Sequence, residues 1–288
     1  MNRYNNIIFA AVITIWLASC ENYEEYTSQN ALHEDNVIKI EAEVNTPLKG
    51  GITTDNLYEF GLFIENPADD TYTYNNVNVT KNTEAISWST SKKMFWSSAS
   101  QEITAYAYSP YNQDATLTDT MDVSICKDQT VKDSIFTSDF LFSACQVTPS
   151  GNQITINSIY YDVTNSAIKI KLEHKFAKLI IKLDNTFSSY SIDTVYVNGT
   201  NTKASITFKG DGKTGDIDDL NEKSTIKAYK ESDTQYECIL IPQTIASGNL
   251  SVKILLTGEV LDTYIWESEN DIILESGKSL NLILTKNE

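Results

Sequence analysis

Cysteine and histidine, two residue types that serve as nucleophiles, general bases and metal ligands, are rare in this chain. The 288 residues include four cysteines and two histidines. No two cysteines have CxxC spacing and neither histidine belongs to an HExxH pair, so these two zinc-site patterns are absent. His174 would have to be the base of any catalytic triad, yet it follows an apolar run beside Lys175, where we interpret it as structural or surface. We therefore expect no catalytic residue, no metal or cofactor site and no enzymatic activity.

Segment 210–215 contains a Gly-Lys-Thr sequence that looks like the end of a phosphate loop. The full pattern needs a glycine where this chain has Thr207, so we reject that interpretation. The carboxylates of Asp216, Asp218 and Asp219 follow, but their spacing is not that of an EF-hand. We interpret the whole stretch as a solvated hairpin loop.

Cys20 is the cysteine with a specific chemical prediction. An apolar run of 11 residues, from Ile7 to Leu17, follows the basic Arg3 and ends in Ala18-Ser19-Cys20. The run is too short to span a bilayer and is typical of a secretory signal peptide. Its ending resembles the lipobox of bacterial lipoproteins, which implies cleavage between Ser19 and Cys20 and acyl chains, such as palmitate, on Cys20.

We expect residues 1–19 to be the signal peptide and residues 20–35 to be a lipidated, polar tether. The acyl chains would hold the mature protein at the outer membrane. The alternatives are an ordinary signal peptide with a coincidental cysteine, or a buried start to the fold. The acidic cluster from Glu21 to Tyr26 loosely resembles the surface-export signal of some lipoproteins, and otherwise is a solvated linker.

Charge excludes a class of partner. The formal net charge is −17, and Arg3 is the only arginine. Nucleic-acid and phosphate contacts depend on clusters of arginine and lysine, so we expect no nucleic-acid partner. The remaining cysteines are Cys126, Cys145 and Cys238, an odd number that allows at most one disulfide. We expect them to be buried small residues, and the sequence leaves open whether any two pair.

Hydrophobic alternation predicts an all-β protein. Apolar residues occupy every second position in several short stretches, including Ile38 to Val44, Ile103 to Tyr108, Ile168 to Leu172 and Leu250 to Leu256. Such strands, separated by turn signals, suggest antiparallel β-sandwiches. The alternation is lost at 158–166, where we place a domain boundary. Residues 36–163 and 164–288 are the two predicted domains.

Aromatic residues offer a second functional hypothesis. Trp88 and Trp96 are most simply packing residues on either side of a hairpin. Together with Tyr106 and Tyr108 they could instead form a platform on which sugar rings stack. That alternative describes a surface glycan-binding lipoprotein.

Several segments, in their order along the chain, resemble the fimbrillin family of lipoprotein pilins and fimbrial accessory proteins. They are the lipobox at Cys20, the strand Leu57-Tyr58-Glu59-Phe60-Gly61-Leu62-Phe63, Ala105-Tyr106-Ala107-Tyr108-Ser109-Pro110-Tyr111, Asp139-Phe140-Leu141-Phe142-Ser143-Ala144, Lys171-Leu172-Glu173-His174-Lys175-Phe176-Ala177-Lys178-Leu179 and Ile241-Pro242-Gln243-Thr244. The resemblance implies two tandem transthyretin-like antiparallel β-sandwiches. It also implies a subunit exported to the cell surface, where it pairs with other fimbrial subunits by strand exchange.

In polymerising members of that family, a trypsin-like and often Arg-specific protease removes the lipidated N-terminus with the first strand. This chain has no arginine after Arg3, and Lys39 and Lys49 are the only basic positions near the expected cut. They are therefore the candidate processing positions. We expect an anchor, tip or accessory subunit of a fimbria, less readily a stalk subunit, which contributes to adhesion.

Overall fold

The structure, a computed structural model, describes residues 36–45, 51–82, 84, 87–118, 120–150, 153–162, 167–209, 214–257 and 262–286. The signal peptide, the tether, Ser19, Cys20 and Lys49 lie outside these ranges, so the predictions made for them stay predictions. Within these ranges, no helix is both long and apolar enough to cross a membrane.

The described chain is almost entirely β-structure, which confirms the predicted class. The first ten strands and the helix, in chain order, are β1 (Lys39–Asn45), β2 (Glu59–Glu65), β3 (Tyr74–Asn82), β4 (Ser87–Thr90), β5 (Ile103–Ser109), β6 (Thr120–Ser124), α1 (Lys132–Ser138), β7 (Leu141–Ser150), β8 (Gln153–Ile156), β9 (Ile159–Asp162) and β10 (Ala167–His174). The later strands are β11 (Ala177–Leu183), β12 (Ser191–Asn201), β13 (Lys203–Thr207), β14 (Ile217–Asp219), β15 (Lys223–Lys227), β16 (Tyr229–Ser232), β17 (Gln235–Leu240), β18 (Gln243–Ile245), β19 (Ser251–Thr257), β20 (Asp262–Glu267), β21 (Ile272–Leu274) and β22 (Ser279–Leu284).

The strands up to β10, apart from β6, form a single large sheet. Its order is β1-β10-β7-β5-β2-β3-β4, with the β8–β9 hairpin attached to β7. Central β2 is buried along most of its length, and its Gly61 has a packing reason. A Cβ atom at Gly61 would lie 2.2 Å from the ring of Tyr108, so only glycine allows the ring to cross the strand there.

The later strands form smaller sheets. Two have four strands each, in the orders β16-β17-β11-β22 and β15-β12-β19-β20. A three-stranded sheet has the order β14-β13-β6, and β18 pairs with β21. The alternating residues Val252, Ile254 and Leu256 of β19 are all buried, as their spacing predicts for one face of a strand.

Two hydrophobic cores lie within these sheets. One core lies on one face of the large sheet and is formed by that sheet and its loops. The other core joins the opposite face of the same sheet to the later strands. The ring of Phe208 lies 4.9 Å from that of Phe142 and 5.9 Å from that of Tyr108, measured between centroids. Aromatic rings therefore connect the two halves of the chain directly.

The segment from 112 to 134, which is polar and without alternation, crosses between these halves. Its strand β6 pairs with β13, from Thr120↔Thr207 to Ser124↔Lys203. The side chain of Gln129 is completely buried and bonds to the backbone of Ile239 in β17. The predicted division into two tandem domains is not tested by these contacts, and its boundary falls on 163–166, outside the described residues.

Two pairings depart from the antiparallel pattern. β1 runs parallel to β10, and β22 runs parallel to β11. β10 and β11 are consecutive in the chain and are separated only by Lys175 and Phe176. The first and last described strands thus add in the same way to the two segments that join the halves. Alternation reports which face of a strand is buried but not the direction of its neighbour.

Candidate functional site

β1 ends the large sheet, and among the described strands only β10 pairs with it. The register runs from Lys39↔Ala167 to Asn45↔Glu173. Ile40 and Val44 point into the core and are buried, while Glu41 and Glu43 point outward. The predicted first strand therefore exists, and it is packed within its own fold.

Opposite charges face each other on the outer side of this pair. The Lys171 ammonium lies 3.3 Å from the Glu43 carboxylate, and the Lys169 ammonium lies 4.0 Å from that of Glu41. The four side chains are each about half exposed, between 47% and 52%. Such exposed pairs contribute little stability, up to about 1 kcal/mol each, but they favour one register of the strand.

Lys39, one of the two candidate processing positions, is the first residue of β1 and is exposed. The chain just before it is held in place, since the Ile38 N–H donates to the Met94 carbonyl oxygen at 3.0 Å. A protease would have to pull this segment from the sheet to cut there. Processing at Lys39 or Lys49 stays a prediction.

β22 is the other parallel edge strand. Leu280, Leu282 and Leu284 face inward, while Ile283 is 67% exposed on the outer face. The neighbouring strand of the described chain on one side is β11, and β22 ends the sheet on the other.

Charge distinguishes β22 from the other sheet edges. Charged residues occur in the edge strands β1, β6, β9, β14, β15, β16 and β20. β4, β18 and β21 have none, but each has four residues or fewer. β22 has six residues and no charge. Charges and shortness are the means by which proteins prevent edge strands from pairing with other chains, and β22 has neither protection.

His174, the residue that would be the base of a triad, forms a buried contact with a carboxylate. Its Nδ1 is 2.9 Å from Asp139 Oδ1, and both side chains are almost fully buried. The other carboxylate oxygen, Asp139 Oδ2, accepts a hydrogen bond from the Ile52 N–H at 2.8 Å. The pair connects the end of β10 to the residue after α1, which fits a structural role for His174. The absence of enzymatic activity stays a prediction.

The proposed aromatic platform is wrong as a surface feature. Trp96 and Tyr108 are 1% and 0% exposed, and Tyr106 is 8% exposed. Trp88 is half-buried and packs edge-on against Phe60, with centroids 5.2 Å apart. Alternation could not separate a stacking platform from core packing, because both need large rings on one face of a strand.

The three described cysteines, Cys126, Cys145 and Cys238, are all free thiols. Burial raises the pKa of Cys145 and of Cys238 to about 12. Cys145 and Cys238 are the buried small residues that the sequence predicts, whereas Cys126 is only partly buried.

Sequence reasoning missed several buried polar residues, among them Asp139 and Gln129. Both lie at turns next to α1, and their partners Ile52 and Ile239 are 87 and 110 residues away in the chain. No local pattern marks such contacts. Asp216 immediately precedes β14, Asp218 and Asp219 lie within it, and β14 pairs with β13. No cluster suited to a metal ion occurs among the residues that the structure describes.

The fold is shared with solved structures of Bacteroides proteins. A candidate cell adhesion protein of Bacteroides ovatus has a TM-score of 0.60 at 18% identity, with 86% of this chain and 91% of that chain covered. A candidate cell adhesion protein of Bacteroides uniformis has a TM-score of 0.58 at 14% identity, covering 88% and 95%. A third, from Bacteroides thetaiotaomicron, has a TM-score of 0.52 at 14% identity, covering 86% and 93%.

A search of curated proteins found no significant match. The model of the fimbrillin-like family matches residues 50–288, so the match includes every strand from β2 to β22 and begins after β1. That family supports a fimbrial structural or adhesive role and a location at the cell surface. The chain belongs to the fimbrillin-like family.

Proposed function

We propose that this protein is a structural subunit of a cell-surface fimbria that assembles by β-strand addition and contributes to adhesion. Its place is at the anchor, the tip or another accessory position rather than in the stalk. The observation that carries the proposal is the edge strand β22, which has six residues, no charge and an exposed Ile283 side chain.

An edge of this kind suits a strand from another subunit. The main chain of an added strand supplies the affinity, and the alternating side chains supply the register. Ile283 would pack against an apolar residue of the added strand, while the inward-facing leucines hold β22 in place. A second exposed isoleucine, Ile265, lies on β20, an edge strand that contains Asp262 and Glu267 and is therefore protected.

The accessory position is supported by what holds β1. No arginine follows Arg3, and Lys39 lies in a paired strand. Removing β1 together with the preceding Ile38 would take the buried side chains of Ile38, Ile40 and Val44 out of the core, at a cost of about 2 kcal/mol for each. A subunit that retains β1 retains its tether, and with it the acyl chains predicted on Cys20 at the outer membrane.

Filament incorporation tests the role of β22. We expect Ile283→Lys to reduce the amount of this protein in the sheared surface-filament fraction about fivefold or more, because a lysine on the edge opposes pairing. The matched control is Ile265→Lys, the same substitution at an isoleucine of similar exposure (57%, against 67% for Ile283) on a protected edge. Equal incorporation of both variants at equal expression would show that β22 is not the assembly edge.

A further inference from the structure

A polar groove of about 770 Å³ lies on the outer face of the large sheet, next to the later strands. It exists because β7 and β10 separate. Their ladder has only two residue pairs, Glu173↔Phe142 and His174↔Leu141, and beyond them the strands diverge. Asn157, at the turn of the β8–β9 hairpin, and Lys209, after β13, complete its rim.

The groove concentrates ammonium groups on a strongly acidic protein. Lys169, Lys171, Lys175 and Lys209 line it, with Glu173 as the one lining carboxylate. The whole chain, by comparison, has a net charge of −17. The lining residues are thus mainly cationic, and each of the four lysines also has a carboxylate within 4.0 Å.

Nearby carboxylates only partly engage these lysines. Glu41, Glu43 and Glu173 lie 4.0, 3.3 and 3.9 Å from the ammonium groups of Lys169, Lys171 and Lys175 respectively. These distances exceed the roughly 2.8 Å of a charge-assisted hydrogen bond. Each ammonium has three N–H donors, so donors remain for a ligand. Lys209 is different, because it forms a short contact to Glu65.

The other lining groups suit a saccharide. Amides come from Gln146 and Asn157, and hydroxyls from Thr104 and Ser143. Such groups donate to and accept from sugar hydroxyls, and the volume lies in the range of ligand sites in proteins.

An added peptide strand fits the groove less well. The backbone of Gln146 in β7 is already engaged by Asn157. The Gln146 N–H donates to Asn157 Oδ1 at 2.9 Å, and the Asn157 N–H donates to the Gln146 carbonyl oxygen at 2.9 Å. At Gln146, therefore, this wall of the groove has no backbone group left to pair with an added strand.

We propose that this groove binds an acidic saccharide, with Lys169 and Lys171 contacting its carboxylate or sulfate groups and the amides contacting its hydroxyls. The proposal does not depend on strand addition at β22. It would give the subunit an adhesive site of its own.

Calorimetric titration of the full mature protein tests the proposal, with oligogalacturonate and heparin-derived oligosaccharides as probes. The first carries carboxylates and the second adds sulfates, so the two arms identify the preferred anion. We expect at least one to bind at least tenfold more tightly than neutral dextran oligosaccharides and than poly-glutamate.

The Lys169→Gln/Lys171→Gln variant should lose about tenfold in affinity. The matched control is Lys182→Gln/Lys253→Gln, which neutralises two exposed strand lysines away from the groove and should bind like the unmodified protein. Equal thermal unfolding midpoints establish that both variants are folded. The proposal is overturned if neither acidic saccharide binds, if both variants lose affinity equally, or if poly-glutamate binds as tightly with the same lysine dependence.

Discussion

At the scale of single residues, the described chain depends on polar groups buried far from their sequence neighbours. The Gln129 side chain accepts from the Ile239 N–H at 2.8 Å and donates to the Ile239 carbonyl oxygen at 2.9 Å. One amide thus pairs with both backbone groups of a residue in β17, as a neighbouring strand would. Unpaired polar groups in a protein interior are costly, so this contact holds segment 125–131 against the later strands.

We predict that Gln129→Ala lowers the free energy of unfolding by about 3 kcal/mol, because both backbone groups of Ile239 lose their partner. Urea denaturation followed by circular dichroism measures the change. Gln113→Ala, at an exposed loop position, should change stability very little. Similar losses in the two variants would contradict the role assigned to the buried amide.

Cysteine ionisation gives a pH-dependent prediction. Burial raises the pKa of the Cys145 and Cys238 thiols from an ordinary 9.0 to about 12. Below pH 9 these thiols are neutral in both the folded and unfolded states, so their contribution to the free energy of unfolding is fully present. Between pH 9 and pH 12 the unfolded state loses their protons first, and stability falls.

We expect Cys238→Ala to reduce the loss of stability between pH 9 and pH 11, as measured by urea denaturation at each pH. In the native protein at pH 8, iodoacetamide should modify Cys126 well before Cys145 and Cys238, as peptide mapping would show. Rapid modification of either buried thiol without denaturant would refute their assigned environment.

At the scale of elements, the two parallel edge strands β1 and β22 differ in charge. β1 alternates buried apolar residues with Glu41 and Glu43, whereas β22 has no charge. The first is suited to remain where it is, and the second to receive a partner. Both statements rest on side-chain chemistry, because the backbone geometry of the two pairings is alike.

Retention of β1 predicts the mature N-terminus. Mass spectrometry of the protein from its cells should find a chain that begins at an acylated Cys20, and Lys39→Gln should leave that start unchanged. A mature chain that begins near residue 40 or 50 would instead indicate a processed stalk subunit. Recovery of only soluble protein with an unmodified Cys20 would show that the protein has no lipid anchor.

The sequence is informative about elements to different degrees. The alternation in β1, β10 and β19 predicts their presence, because each buries one face in a core. β5 is also predicted, but it is buried on both faces. β6 and α1 lie in a polar stretch where tertiary contacts decide the structure. The polar groove cannot be recognised in the sequence, because its lysines come from β10 and from the chain after β10 and β13, and other lining residues come from β5 and β7. These residues meet only because β7 and β10 diverge.

At the scale of the whole molecule, aromatic packing connects the two halves. Phe208 contacts rings of Phe63, Tyr108 and Phe142, with centroids 6.1, 5.9 and 4.9 Å away. Gln129 and β6 add hydrogen bonds across the same junction. A subunit that transmits force along a filament benefits from such a connection, because its halves resist separation together.

We predict that Phe208→Ala lowers the free energy of unfolding by about 4 kcal/mol, since it leaves a cavity among three rings. In the unmodified protein, the two described halves should unfold in one transition. Hydrogen exchange should then give equal opening free energies for β2 and β12. Two separated transitions in the unmodified protein would contradict a shared junction.

Membership in the fimbrillin-like family gives the class of function, and the β22 edge gives its proposed mechanism. The most direct test is immunogold electron microscopy of intact cells with an antibody against this chain. The account predicts gold particles on surface filaments, at their base or tip, and a loss of this labelling in cells that carry Ile283→Lys. Labelling confined to the cell interior, or filament labelling unchanged by Ile283→Lys, would contradict it.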